Sequence, residues 1–128
     1  MNRAILLAAA LALAGCGSPA ITPETPAQAM VGIRAAEAGT LRLFREYTAQ
    51  RPFCGDAGAK APPLCAERSI VIEGMEIATQ LHDGLAHADT VIKAAGVSDT
   101  SWKALAEPKT LLDRFRAFVA RARNEVIP

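Results

Sequence analysis

The sequence has few aromatic residues and no excess of either charge. Its 128 residues include four Phe, one Tyr and one Trp, which is too few for a large β-sandwich of aromatic-rich strands. The 14 Lys and Arg residues nearly balance 13 Asp and Glu residues, giving a formal net charge of +1. Nucleic-acid-binding domains usually show a strong basic excess, so we expect no nucleic-acid partner. The length allows one small domain at most.

Motifs that carry catalytic chemistry are also missing. The chain has no nucleophile elbow, no phosphate-binding loop and no paired-glycine fingerprint. Its two histidines, His82 and His87, would lie about 140° apart on a helix, whereas a helical zinc pair needs a spacing of four residues. Glu73 and Glu76 share a helix face but predict no particular chemistry. We therefore expect no enzyme activity, catalytic residue, cofactor, metal site or small-molecule substrate.

A long apolar run is found only near the start of the chain. One positive charge, at Arg3, precedes the unbroken apolar residues 4–13. This run is too short for a transmembrane helix, which needs about 20 residues. It matches the apolar region of a secretory signal peptide.

Residues 13–16 read Leu-Ala-Gly-Cys, and they resemble the lipobox of bacterial lipoproteins. The resemblance covers residues 1–16 and implies that residues 1–15 are a cleaved signal peptide. Cys16 would then be the N-terminus, with a diacylglyceryl group on its sulfur and an acyl chain such as palmitate on its amine. Gly17 stands where Asp typically retains a lipoprotein in the inner membrane. The expected location is therefore the outer membrane, facing the periplasm. An ordinary signal peptide cut after Ala14 is the alternative.

The mature chain divides into a tether and a helical domain. Residues 16–26 form the lipidated cysteine and a Pro-rich tether, because three prolines in ten residues disfavour a helix and favour extended chain. Such a tether would reach about 30 Å. Residues 27–128 are predicted to form the helical domain.

Apolar periodicity predicts an all-α fold, a small antiparallel bundle of three helices. The first helix covers residues 27–51 and the second covers residues 66–95. The third begins after a cap at Ser98 or Asp99, and Pro108 is a candidate break within it. The second helix is apolar on two faces, so we expect neighbours on both sides. The predicted core contains Ile33, Phe44, Ile77, Leu81, Leu85, Val91, Phe115 and Phe118.

Once Cys16 is assigned to lipid, Cys54 and Cys65 remain as an even pair around a Pro/Gly-rich loop. Disulfides persist in an oxidising periplasm, so we expect this pair to be bonded and to staple the loop between helices one and two. A redox-active pair or a metal site fits the long spacing less well. The loop could also present a recognition surface, whose visible groups would be Phe53, Asp56 and Lys60.

Four arginines crowd the last helix. Cations suit a helix C-terminus because they oppose the negative end of its dipole. The alternative is a basic patch for anionic lipid headgroups or for an acidic partner. The candidate contact residues are Arg114, Arg116, Arg121 and Arg123.

These features predict a membrane-anchored, non-catalytic lipoprotein of the bacterial envelope. It would act by binding another envelope protein, whose identity the sequence does not give. In size the chain also resembles small lipoproteins that phages and conjugative plasmids encode, which act in host lysis or in exclusion of superinfecting DNA. A periplasmic enzyme is a more remote alternative.

Overall fold

The computed structural model describes residues 22–55 and 65–124. The signal peptide, Cys16, Asp56 and Lys60 lie outside these described residues. No helix within the two described ranges is long and apolar enough to cross a membrane. The helices are α1 (Pro26–Ala49), α2 (Arg68–Ala95), α3 (Asp99–Ala104) and α4 (Ala106–Asn124).

Helix α1 begins at Pro26. This residue was predicted to belong to the tether, but it belongs to the helix. A proline is tolerated at the first helical position because its missing N–H would have no partner there. Thr25 caps the helix: its hydroxyl accepts from the Gln28 N–H at 3.2 Å, and the Gln28 side chain accepts from the Thr25 N–H at 3.2 Å. The ring of Pro26 is fully buried. The helical domain therefore starts one residue earlier than predicted.

The predicted disulfide between Cys54 and Cys65 is confirmed, with Cα atoms 4.9 Å apart. It lies beside a small backbone bridge between Phe53 and Ala66. The Cys54 N–H donates to the Ala66 carbonyl at 3.0 Å, and the Ala66 N–H donates to the Pro52 carbonyl at 2.9 Å. Since these bonds occupy the backbone of Ala66, helix α2 begins at Arg68 and not at Ala66.

The third helical segment is broken, as predicted, and the break falls at Leu105. Gly96 ends α2 with φ +60°, and the Ser98 hydroxyl then caps α3 by accepting from the Ser101 N–H at 3.2 Å. Pro108 lies in the first turn of α4. It has no N–H to donate to the Ala104 carbonyl and its ring would crowd that group, so α3 cannot continue into α4 without a break.

The helices form the predicted antiparallel bundle, in which α1, α2 and α4 contact one another and α3 packs on α2 and α4. Ile33 is half-buried and packs against the core from α1. Val91 is also half-buried, in the last turns of α2 at the end of the bundle. The other six predicted core residues are buried: Phe44, Ile77, Leu81, Leu85, Phe115 and Phe118.

Helix α2 packs against all three other helices, and the two apolar stripes predicted for it lie together on one broad buried face. Its buried stripe includes Val71, Ile77 and Leu85. On the outer face, Ile72 is 52% exposed and Met75 is 60% exposed. In this bundle the core lies on one side of α2, which leaves Ile72 and Met75 on the opposite side in solvent.

Candidate interaction surfaces

The four arginines of α4 do not form one patch. Residues seven positions apart lie on nearly the same helix face, whereas residues two apart differ by about 200°. Arg116 and Arg123 therefore share one face, and Arg114 and Arg121 share another. All four side chains are exposed. The buried stripe of α4 separates the two pairs, which the sequence analysis treated as one surface.

Arg116 and Arg123 line a groove between α1 and α4, of about 680 Å³. Arg42 of α1 contributes a third guanidinium, and Glu46 a carboxylate. We call this surface the basic groove. Its apolar lining is Ala36, Leu43, Val119 and Ala120.

The charges of the basic groove are only partly neutralised. Arg42 donates from Nε to Glu46 Oε1 at 3.1 Å, one helical turn away. Within the described ranges, neither Arg116 nor Arg123 lies at ion-pair distance from a carboxylate. The groove therefore offers two guanidinium groups, each with several N–H donors, beside an apolar lining.

The second arginine pair has different surroundings. Arg121 lines a smaller depression of about 210 Å³ together with Ile70 and Glu73 of α2. The Glu73 carboxylate places a negative charge in the same depression as the guanidinium. An acidic partner would be repelled here by Glu73, so the basic groove is the better anion-binding surface.

Two arginines lie over aromatic rings at the disulfide end of the bundle. The guanidinium of Arg68 is 4.5 Å from the centroid of Phe53, and that of Arg51 is 4.6 Å from the centroid of Tyr47. Phe53 is half-buried and its ring face is occupied by Arg68. It therefore fits a structural role at the loop base better than the predicted recognition role.

The α1 residue Glu37 is a buried carboxylate, which periodicity along the sequence does not predict. Glu37 is 8% exposed, and its Oε1 is buried without a hydrogen-bond partner. His82 of α2 approaches it, with Nδ1 at 3.6 Å from Oε1, too far for a hydrogen bond. His87 is exposed. No group of three potential metal ligands occurs in the described part of the chain.

A charged cluster joins α1 to α2. Asp89 accepts from Lys93 Nζ at 2.6 Å and lies 3.8 Å from a guanidinium nitrogen of Arg34. The hydrogen bond from Lys93 is the main reason that the pKa of Asp89 is below its usual range, and Arg34 adds to it. Asp89 is half-buried while Arg34 and Lys93 are exposed, so the cluster adds little to the stability of the bundle.

A second groove, of about 470 Å³, lies near the start of α1. It is bounded by Pro23 from the segment before α1, Ile33 of α1, and Trp102 of α3. We call it the tether-end groove. Trp102 is 39% exposed although it is a large apolar residue. The short α3 places its indole at the edge of the bundle.

No protein-family model matches this chain, and comparisons with curated proteins and with solved structures give no significant match either.

Proposed function

We propose that the mature protein is a lipid-anchored, non-catalytic binding module of the bacterial outer membrane, facing the periplasm. It binds an acidic segment of another envelope protein through the basic groove. The lipobox motif supports the location, since Cys16 would carry the lipid. The groove supports the kind of partner.

The observation that carries the proposal is the pair Arg116 and Arg123, which have no carboxylate partner within the described residues and lie beside an apolar lining. Arginine binds carboxylates in bidentate geometry, and such pairs are stronger than neutral hydrogen bonds. Leu43, at 38% exposure, adds apolar surface that a partner would cover. An acidic, partly apolar protein segment matches both features.

The anchor is tested by metabolic labelling. Radiolabelled palmitate should enter the wild-type protein and not Cys16→Ser, because that variant lacks the sulfur that would carry the diacylglyceryl group. Equal labelling of the two proteins would contradict lipidation at Cys16.

The binding surface is tested by charge reversal with a matched control. Arg116→Glu combined with Arg123→Glu reverses the basic groove, whereas Arg114→Glu combined with Arg121→Glu makes the same charge change on the other face of α4. Cells expressing each variant are treated with a chemical crosslinker, and the lipoprotein is recovered with its partner. Circular dichroism of each purified variant checks that the fold is intact.

We expect the groove reversal to abolish recovery of the partner and the control reversal to leave it largely unchanged. In vitro, association with the recovered partner should weaken as salt rises, because exposed charges are screened beyond about 10 Å at 0.1 M. Equal recovery with both double variants would contradict the basic groove as the binding surface. Failure to recover any partner, together with turnover of a small molecule, would contradict the binding role.

A further inference from the structure

The tether-end groove lies close in sequence to the proposed lipid anchor. Pro23 lines this groove, and Cys16 precedes Thr22 by six positions. Six residues span at most about 20 Å even when fully extended. If Cys16 carries lipid, as proposed above, this end of the bundle is held within about 20 Å of the bilayer.

The same end exposes two apolar side chains. Trp102 is 39% exposed at the groove, and Val97, in the connection between α2 and α3, is 72% exposed. The Ser101 hydroxyl donates to the Gly96 carbonyl at 2.6 Å, which fixes this connection to α3. Tryptophan is enriched at membrane–water interfaces because its ring is apolar and its N–H is polar.

The charges nearest to these two residues largely cancel, and Arg116, which lines both the tether-end groove and the basic groove, lies ten residues after the start of α4. Asp99 and Lys103 are one turn apart on α3, and Lys109 Nζ lies 3.7 Å from Asp113 Oδ2. A bilayer contact here would depend on apolar groups and not on a basic surface. The bilayer contact should therefore be insensitive to salt, whereas partner binding in the basic groove should weaken as salt rises.

We propose that the end of the bundle bearing Val97 and Trp102 rests on the bilayer that holds the Cys16 lipid, with the Trp102 indole at headgroup depth. A short tether keeps the local concentration of this weakly apolar surface high at the membrane, so little intrinsic affinity is needed. The basic groove is formed by the later turns of α1 and α4, beside the disulfide end. The contact therefore turns the groove away from the bilayer and toward periplasmic partners.

Trp102 is the single tryptophan of the chain, so its fluorescence reports this contact directly. The full-length lipidated protein is reconstituted into phosphatidylethanolamine/phosphatidylglycerol vesicles, with and without bromine near the headgroup end of the acyl chains. The matched variants are Val97→Asp and Met75→Asp. Met75 is similarly exposed, but it lies 20 residues before the end of α2, about 30 Å along the helix. Circular dichroism checks each fold, and mass spectrometry checks acylation of Cys16.

We expect brominated lipid to lower Trp102 emission about twofold, because an interfacial indole lies close to the first acyl carbons. The quenching should persist at high salt and in vesicles of zwitterionic lipid alone. Val97→Asp should remove most of it and Met75→Asp should not.

Three results would overturn this inference. Aqueous iodide serves as a second quencher. If Cys16 is acylated but iodide alone quenches Trp102, the end of the bundle that bears Val97 and Trp102 does not contact the bilayer, and the proposed function is unaffected. If neither quencher reaches Trp102, a second copy of the chain or another protein covers it. If Cys16 carries no lipid, both this inference and the proposed membrane anchor fail.

Discussion

The ring of Phe44 on α1 meets the ring of Phe118 on α4 edge to face, with centroids 6.2 Å apart. Both rings pack over Gly74 of α2, so the three long helices meet at one point. A Cβ added at Gly74 would lie 2.6 Å from Cε2 of Phe44 and 2.8 Å from Cε1 of Phe118. The close approach of two aromatic rings therefore depends on the absence of a side chain at position 74.

Gly74→Ala should destabilise the protein. Overpacking a core costs about 1–3 kcal/mol, and the better helix propensity of Ala offsets about 1 kcal/mol of this. We expect a net loss of about 1 kcal/mol in the free energy of unfolding, measured by urea denaturation.

Gly39→Ala is the matched control, because a Cβ at this exposed position of α1 meets no atom within 4 Å. It should raise stability by about 0.5–1 kcal/mol, through helix propensity alone. An increase of the same size for Gly74→Ala would show that the two rings move aside freely.

Reduction of the Cys54–Cys65 bond should also lower stability. The two cysteines are 11 residues apart, and closing a loop of this size stabilises a fold by roughly 3 kcal/mol in the chain-entropy model. Urea denaturation with and without dithiothreitol measures the loss. The Cys54→Ser/Cys65→Ser variant should match the reduced protein and should not respond to dithiothreitol. Wild-type stability unchanged by reduction would contradict this prediction.

Replacing the buried carboxylate should stabilise the bundle. Glu37 Oε1 is buried without a hydrogen-bond partner, and a buried polar atom left unpaired costs about 1–3 kcal/mol. Glu37→Leu has similar volume and should raise the free energy of unfolding by about 1–2 kcal/mol. The same change at exposed Glu76 should stay within about 0.5 kcal/mol of wild type. A loss of stability in Glu37→Leu would mean that His82 or water satisfies the carboxylate.

The Asp89 cluster predicts a pH dependence of stability. The pKa of Asp89 is lowered in the folded state, chiefly by its hydrogen bond to Lys93. Its contribution is therefore present above the unfolded pKa, near 4, and is lost as pH falls through the folded value. Compared with wild type, Asp89→Asn should lose more stability at pH 7 than at pH 2, and Lys93→Met should reproduce that pattern. Equal losses at both pH values would contradict it.

The fold follows from the sequence because its signals are local. Apolar spacing predicts burial of Phe44, Leu81 and Phe115, and these residues are almost fully buried. Pro108 predicts the break in the third helix because a proline removes one backbone donor wherever it lies. The cysteine pair predicts the disulfide because Cys54 and Cys65 are the two cysteines that remain once Cys16 is assigned to lipid.

The errors concern residues whose surroundings are set by other helices. Glu37 is buried because the neighbours of α1 cover its side of the helix. Met75 is exposed because the neighbours of α2 lie on the opposite side. Periodicity along one helix does not specify that side when two faces are apolar. Likewise, the spacing of Arg114 and Arg116 shows that they diverge, but only the position of α1 makes Arg116 part of a groove.

Site-specific photocrosslinking in intact cells tests the central claim most directly. A photoreactive amino acid is placed at Ala120, which lines the basic groove, or at Thr79, on the outer face of α2. We predict a discrete protein adduct from position 120 that is lost when Arg116 and Arg123 are both changed to Glu, and none from position 79. Adducts of equal yield from both positions, or an adduct at position 120 that survives the charge reversal, would contradict a partner bound in the basic groove.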